Sequence, residues 1–178
     1  MRRIVTDQRG FTLAELLVVT AVLGIVLAGV MMIQQSGQQA YVMGSNRVET
    51  QQNARVALDD MTRELRSARA VTTLGGTTDI TFSDQNGATI RYSLSGAILN
   101  RTQNGVTNPL IGGVQTLAMV YCNVWNAVTN SCTTAAATPA ATRVVVIDLV
   151  TRTEETAATY SLANQRTTMR SVVKLRNL

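Results

Sequence analysis

Apolar and polar positions divide the chain into three stretches. Residues 1–10, MRRIVTDQRG, are short and basic, with Arg2, Arg3 and Arg9 set against Asp7. From Phe11 to Ile33 the run FTLAELLVVTAVLGIVLAGVMMI is almost wholly apolar, and Glu15 is its one charged residue. A helix of that length rises roughly 34 Å, enough to cross a bilayer core. Gln34 to Asn46 then carries no charge. Basic residues precede the span and none follow it closely, so the expected orientation leaves Met1 in the cytoplasm and the rest of the chain beyond the membrane. An ordinary secretory signal has a shorter apolar core and a small-x-small cleavage site. This run is longer and no Ala-x-Ala site follows it, so the helix is expected to stay.

The second stretch changes period. Within residues 47–71 the apolar positions Ala54, Leu58, Met61, Leu65, Ala68 and Val71 recur at steps of four and three, one face of a helix. Asp59 and Arg63 stand at i and i+4, in the favoured acid-first order. No proline occurs between residues 11 and 108. The pattern predicts one helix from about Phe11 to about Ala70, apolar all round in its first half and amphipathic in its second.

The third stretch turns to short alternating runs. Thr72 to Thr78, with Gly75-Gly76, is expected to break the helix. Ala88 to Leu94 alternates after the Asn86-Gly87 turn, and Ser95-Gly96 joins it to Ala97–Arg101 as a hairpin. Val114 to Tyr121 and Arg143 to Val150 read as central strands. Ala157 to Leu162 and Met169 to Leu175 read as two more. Thr133 to Thr142 (TTAAATPAAT) is low in complexity and expected to be a loop. The fold class is α+β, a long N-terminal helix on an antiparallel sheet of about five to seven strands.

Composition excludes much chemistry. The 178 residues contain no His and two Cys, so there is no material for a Ser-His-Asp or Cys-His site, nor for a four-thiolate metal centre. Asp79, Asp84, Asp148, Glu154 and Glu155 follow no calcium-loop spacing, and no phosphate-binding glycine pattern occurs. No catalytic residue, metal or cofactor is therefore expected. The formal charge of +5 falls to +3 once residues 1–10 are set aside, since these hold three arginines and one aspartate.

Glu15 is the exception within the apolar run. A carboxylate at the bilayer centre is costly and calls for a cationic partner. Cutting after Gly10 would free an amine at Phe11, four residues away on the same helix face. The segment Arg9-Gly10-Phe11-Thr12-Leu13-Ala14-Glu15-Leu16-Leu17-Val18-Val19 resembles the class III signal of type IV prepilins and type II secretion pseudopilins. The resemblance implies that a membrane aspartyl peptidase cuts after Gly10 and methylates the new amine of Phe11, and that Glu15 is the assembly carboxylate. It implies the partners too: prepilin peptidase, other major and minor pilins through the N-terminal helix, an inner-membrane assembly platform, and the lipid bilayer before assembly. The domains expected are a leader at 1–10, a transmembrane and assembly helix at 11–33, an amphipathic continuation at 34–71 and a β-rich pilin head at 72–178. The protein is expected in the inner membrane first and in a periplasmic or surface filament afterwards. One departure is that many major pilins carry a proline about twenty residues into the mature helix, where this chain has Val30-Met31-Met32-Ile33.

The head resembles PilW-type minor pilins and J-type minor pseudopilins in Arg55–Ala68, in Tyr92 through Leu99-Asn100-Arg101 to Ile111, and in the closing Val172–Asn177. This implies a minor structural subunit that primes or enters a type IV pilus, with a secretion pseudopilin as one alternative. Cys122 and Cys132 lie beyond the membrane in this topology and are expected to form a disulfide. Trp125, between them, is read mainly as part of a stapled structure and secondarily as a contact residue. Arg170, Lys174 and Arg176 share one face of the last strand. They are read first as a charged edge that blocks strand pairing. The other alternative is a DNA-binding or adhesive tip pilin, with Trp125, Arg170, Lys174 and Arg176 as contacts to ligand or duplex DNA.

Overall fold

The computed structural model describes residues 10–153 and 165–176. The expected strand Ala157–Leu162 and the residues of the leader before Gly10 lie outside them. The chain divides into two compact units, residues 1–42 and 43–178.

Helix α1 spans Leu13–Ser67. In the first unit it is long and apolar enough to cross a membrane, and none of its most apolar window is buried by protein. Leu16, Val19, Leu23, Val26 and Ile33 are all exposed. In water such a surface would be strongly unfavourable, so its natural surroundings are lipid or other apolar helices.

In the second unit α1 is amphipathic. Thr50, Ala54, Ala57, Leu58, Met61 and Leu65 are its buried residues. The expected stripe is thus present, and Ala57 joins it. The helix ends at Ser67, whose hydroxyl donates to the Glu64 carbonyl at 2.8 Å. This is earlier than the expected end near Ala70, because Ala70 and the β-branched Val71-Thr72-Thr73 enter strand β1 (Ala70–Leu74) instead. Arg63 pairs with Asp60 rather than with the expected Asp59.

Nine strands follow among the described residues, more than the five to seven expected, and they form two sheets rather than one. The first is an antiparallel meander of β1, β2 (Asp79–Ser83), β3 (Thr89–Ser95), β4 (Ile98–Gln103) and β5 (Val106–Ile111). The expected hairpin is β3–β4, turned by Gly96 at φ 60°. The second sheet, in the order β7-β6-β8-β9, holds β6 (Val114–Asn126), β7 (Ser131–Ala135), β8 (Val144–Arg152) and β9 (Arg166–Lys174). All its pairings are antiparallel. Part of the expected loop Thr133–Thr142 is strand β7, and Pro139–Ala141 forms a 3-10 turn.

One core lies between α1 and both sheets. Met61 and Leu65 are fully buried with Ile80, Phe82, Tyr92 and Leu99 of the first sheet and Leu117, Met119, Val145, Ile147 and Leu149 of the second. Side chains of this size each stabilise by about 1.5–3 kcal/mol when buried. Polar contacts fix the helix register. The Thr151 hydroxyl donates to the Thr50 carbonyl at 2.8 Å, and the Thr62 and Ser171 hydroxyls are 3.1 Å apart. The Glu64 carboxylate accepts from the Tyr92 hydroxyl at 2.6 Å and from Arg101 at 2.8 and 3.0 Å. The sheets are joined where the Met119 amide donates to the Thr77 carbonyl at 2.7 Å and the Tyr121 hydroxyl to the Asp79 carbonyl at 2.8 Å.

Candidate functional site

The residues before and at the start of α1 are built as a reciprocal cap. The Thr12 carbonyl accepts the first helical bond, from the Leu16 amide at 3.2 Å, which makes Thr12 the cap residue. The Thr12 hydroxyl accepts from the Glu15 amide at 3.2 Å, and Glu15 Oε2 accepts from the Thr12 amide at 3.4 Å. A cap hydroxyl and a carboxylate three residues on, each satisfying the other's orphan N–H, form a capping box. The Glu15 charge also lies in the first turn, where the helix dipole favours an anion. Gly10 and Phe11 precede the helix and are exposed, Phe11 at 82%. The peptide bond between them thus lies exposed and outside regular structure, where a peptidase can reach the backbone. A carboxylate, an exposed bond on its N-terminal side and an apolar helix behind it make up the N-terminal site.

Residues 6–31 match the family described as the prokaryotic N-terminal methylation motif. This is the type IV prepilin and pseudopilin signature. No curated protein matches the chain. The signature supports a prepilin peptidase substrate that assembles with other pilins, and with the apolar helix it supports a membrane-anchored precursor. The match takes in Gly10, Phe11, Glu15 and the first part of α1, and the rest of the chain lies outside it.

The rest of the chain carries the other expected site residues. Cys122 and Cys132 are joined by a disulfide, with Cα atoms 5.7 Å apart. The bond ties β6 to β7 near the end of β6 that runs beyond β8. Only Val114–Cys122 of β6 pair with β8, and Val124–Asn126 pair with β7 alone. Trp125 is on strand β6 rather than on a loop. It is half-buried against Cys122, Val144 and Val146, a small cluster separate from the main core. The ring serves that cluster, and Val128 in the adjoining turn is the fully exposed apolar residue, at 95%.

On β9 the alternation expected of Arg170, Lys174 and Arg176 against Met169, Val173 and Leu175 is present, the former exposed and the latter buried or half-buried. Arg170 makes two bonds to Asp148 of β8, at 2.6 and 2.8 Å. The guanidinium's hydrogen bonds hold the Asp148 carboxyl below its ordinary value. Arg170 is therefore largely neutralised. Arg176 lines a groove between α1 and β9, together with Arg55, Arg63 and Arg66. In the sequence these helix arginines fall away from the apolar stripe. Their convergence on β9 depends on tertiary packing and leaves no local mark in the sequence. Among the described residues no three His, Cys, Asp or Glu side chains are grouped to hold a metal ion.

Proposed function

We propose that this chain is a minor, non-enzymatic subunit of a type IV pilus. It is held in the inner membrane by 11–33, cut between Gly10 and Phe11, and then incorporated into the filament or its priming complex. The observation that carries this is Glu15, a charged residue in an apolar helix, in hydrogen-bond contact with the backbone one residue beyond the new N-terminus. Methylated Phe11 supplies the ammonium of a neighbouring subunit or of the same chain, and pairing removes two unmatched charges from an apolar bundle. An unmatched buried charge costs several kcal/mol, so the pair selects subunits in register. The departure of Val30–Ile33 from the major-pilin proline, and the likeness of Arg55–Ala68 and of the closing strand to minor subunits, support minor stoichiometry.

The test is a clean deletion in the native cell, scored together for surface pili, twitching, DNA uptake and protein secretion. Loss of piliation with secretion intact supports a pilus subunit. Loss of secretion alone would assign the chain to a secretion pseudopilus. Mass spectrometry of the natural product should begin at a methylated Phe11.

A further inference from the structure

Strand β9 is the edge of the second sheet. The Leu175 amide donates to the Arg143 carbonyl at 2.9 Å, and the Thr153 amide to the Gln165 carbonyl at 3.2 Å. Both contacts continue the register that sets Val145 opposite Val173 and Ile147 opposite Ser171. Bonded and non-bonded pairs alternate along an antiparallel ladder. The odd-numbered residues of β9 therefore bond to β8. The N–H and C=O groups of Thr168, Arg170, Val172 and Lys174 point away from it, and no strand meets them among the described residues.

Along this edge runs a groove of 1040 Å³. Arg55, Arg63 and Arg66 of α1 line one side, and Arg170 and Arg176 the other, with Asp59 the one carboxylate among the lining residues. Arg63 and Arg170 already have acidic partners. Arg55, Arg66 and Arg176 have none among the described residues. Among the described residues, three cations without an ion-pair partner thus stand beside four outward backbone units that no strand meets.

We propose that this edge and groove receive an extended, acidic segment of another protein, which adds to β9 as a further strand. The backbone row supplies sequence-independent hydrogen bonds, as in strand addition generally, and the arginines select for carboxylates. A second copy of β9 fits poorly. The strand carries Arg166, Arg170 and Lys174 and no acid, so pairing it with itself sets like charges together. Duplex DNA meets the cations but not the ladder. Phosphate oxygens accept hydrogen bonds and donate none, so the outward carbonyls of β9 would repel them. An acidic peptide strand matches donors, acceptors and charge together. The proposal does not depend on cutting after Gly10 and can be tested on the uncut chain.

The experiment uses the full chain in detergent micelles and a short fluorescent peptide alternating glutamate and valine. Anisotropy should report saturable binding, and a lysine–valine peptide should not bind. Thr168→Pro, at an exposed position, removes an outward N–H and no bond to β8, so the fold tolerates it, yet affinity should fall about tenfold or more. Arg55→Glu with Arg66→Glu should weaken the acidic peptide and create binding of the lysine peptide, a gain that misfolding would not produce. Failure of the acidic peptide to bind wild type, undiminished binding by the folded proline variant, or displacement of the peptide by a short DNA duplex at lower concentration would each overturn the proposal.

Discussion

Glu64 shows how one side chain can set the register of a helix on a sheet. Its carboxylate receives both the Tyr92 hydroxyl and the Arg101 guanidinium, and Glu64 and Arg101 are each about four-fifths buried, with side-chain exposures of 22% and 23%. Glu64→Ala would leave a fully buried phenol and a mostly buried cation unmatched. We expect a loss of about 2 kcal/mol, measured by denaturant unfolding, with Tyr92→Phe losing about half as much. The same burial, reinforced by the Glu64 carboxylate, raises the Tyr92 pKa, and burial raises that of Tyr121. A phenol whose folded pKa lies above its unfolded value of about 10 favours the folded state below that pH and loses this contribution as pH rises further. Stability should therefore fall above about pH 10. Tyrosinate absorbance from at least two of the four tyrosines should rise only as near-ultraviolet dichroism collapses. Full ionisation with the dichroism intact would contradict this account.

At the scale of elements, the helix and the β3–β4 hairpin were legible because their signals are local. Ala54, Leu58, Met61 and Leu65 repeat at helical spacing, and Ser95-Gly96 marks a tight turn. Met61 is fully buried. Met61→Ala should cost about 2–5 kcal/mol by the same unfolding measurement, whereas an exposed position of the same helix such as Val56→Ala should cost little. Other strands hide for physical reasons. Strand β7 has no buried residue, so it lacks an apolar alternation and owes its place to β6 and the disulfide. Strand β5 contains Pro109 and is largely exposed, as befits the edge of the first sheet. One signal was present and passed over. Asn104-Gly105, both at positive φ, turn β4 into β5, and Asn-Gly is the strongest short hairpin marker. Replacing Cys122 and Cys132 together by Ser should lower stability by roughly 2–3 kcal/mol, since the bond closes a short loop. Unfolding of the wild type should be sensitive to reductant, and that sensitivity should disappear in the variant.

Across the whole molecule, the N-terminal site could be read from sequence because its parts are contiguous, from Gly10 to Glu15. The arginine groove could not, since residues 67–169 separate Arg55–Arg66 from Arg170–Arg176 in the chain. The proposed function rests at this scale on exchanging lipid for neighbouring helices around Leu16–Ile33. Glu15→Leu should leave membrane insertion and cutting at Gly10 unchanged while sharply reducing recovery of the chain in sheared filaments. Immunoblots of membrane and filament fractions check both halves of that expectation. Equal recovery of variant and wild type would remove Glu15 from the assembly step.

The Thr12–Glu15 clasp has a temporal consequence. Both of its members lie downstream of the Gly10–Phe11 bond, so trimming the leader takes nothing from it. A chain cut as proposed should begin its helix at the same residue as the uncut one, with the same starting turn. Cutting as proposed would therefore alter the voltage beside the helix start and spare the hydrogen bonds that cap it. On the proposed function, a subunit awaiting assembly would already carry the capped first turn, and the peptidase would supply only the missing positive pole.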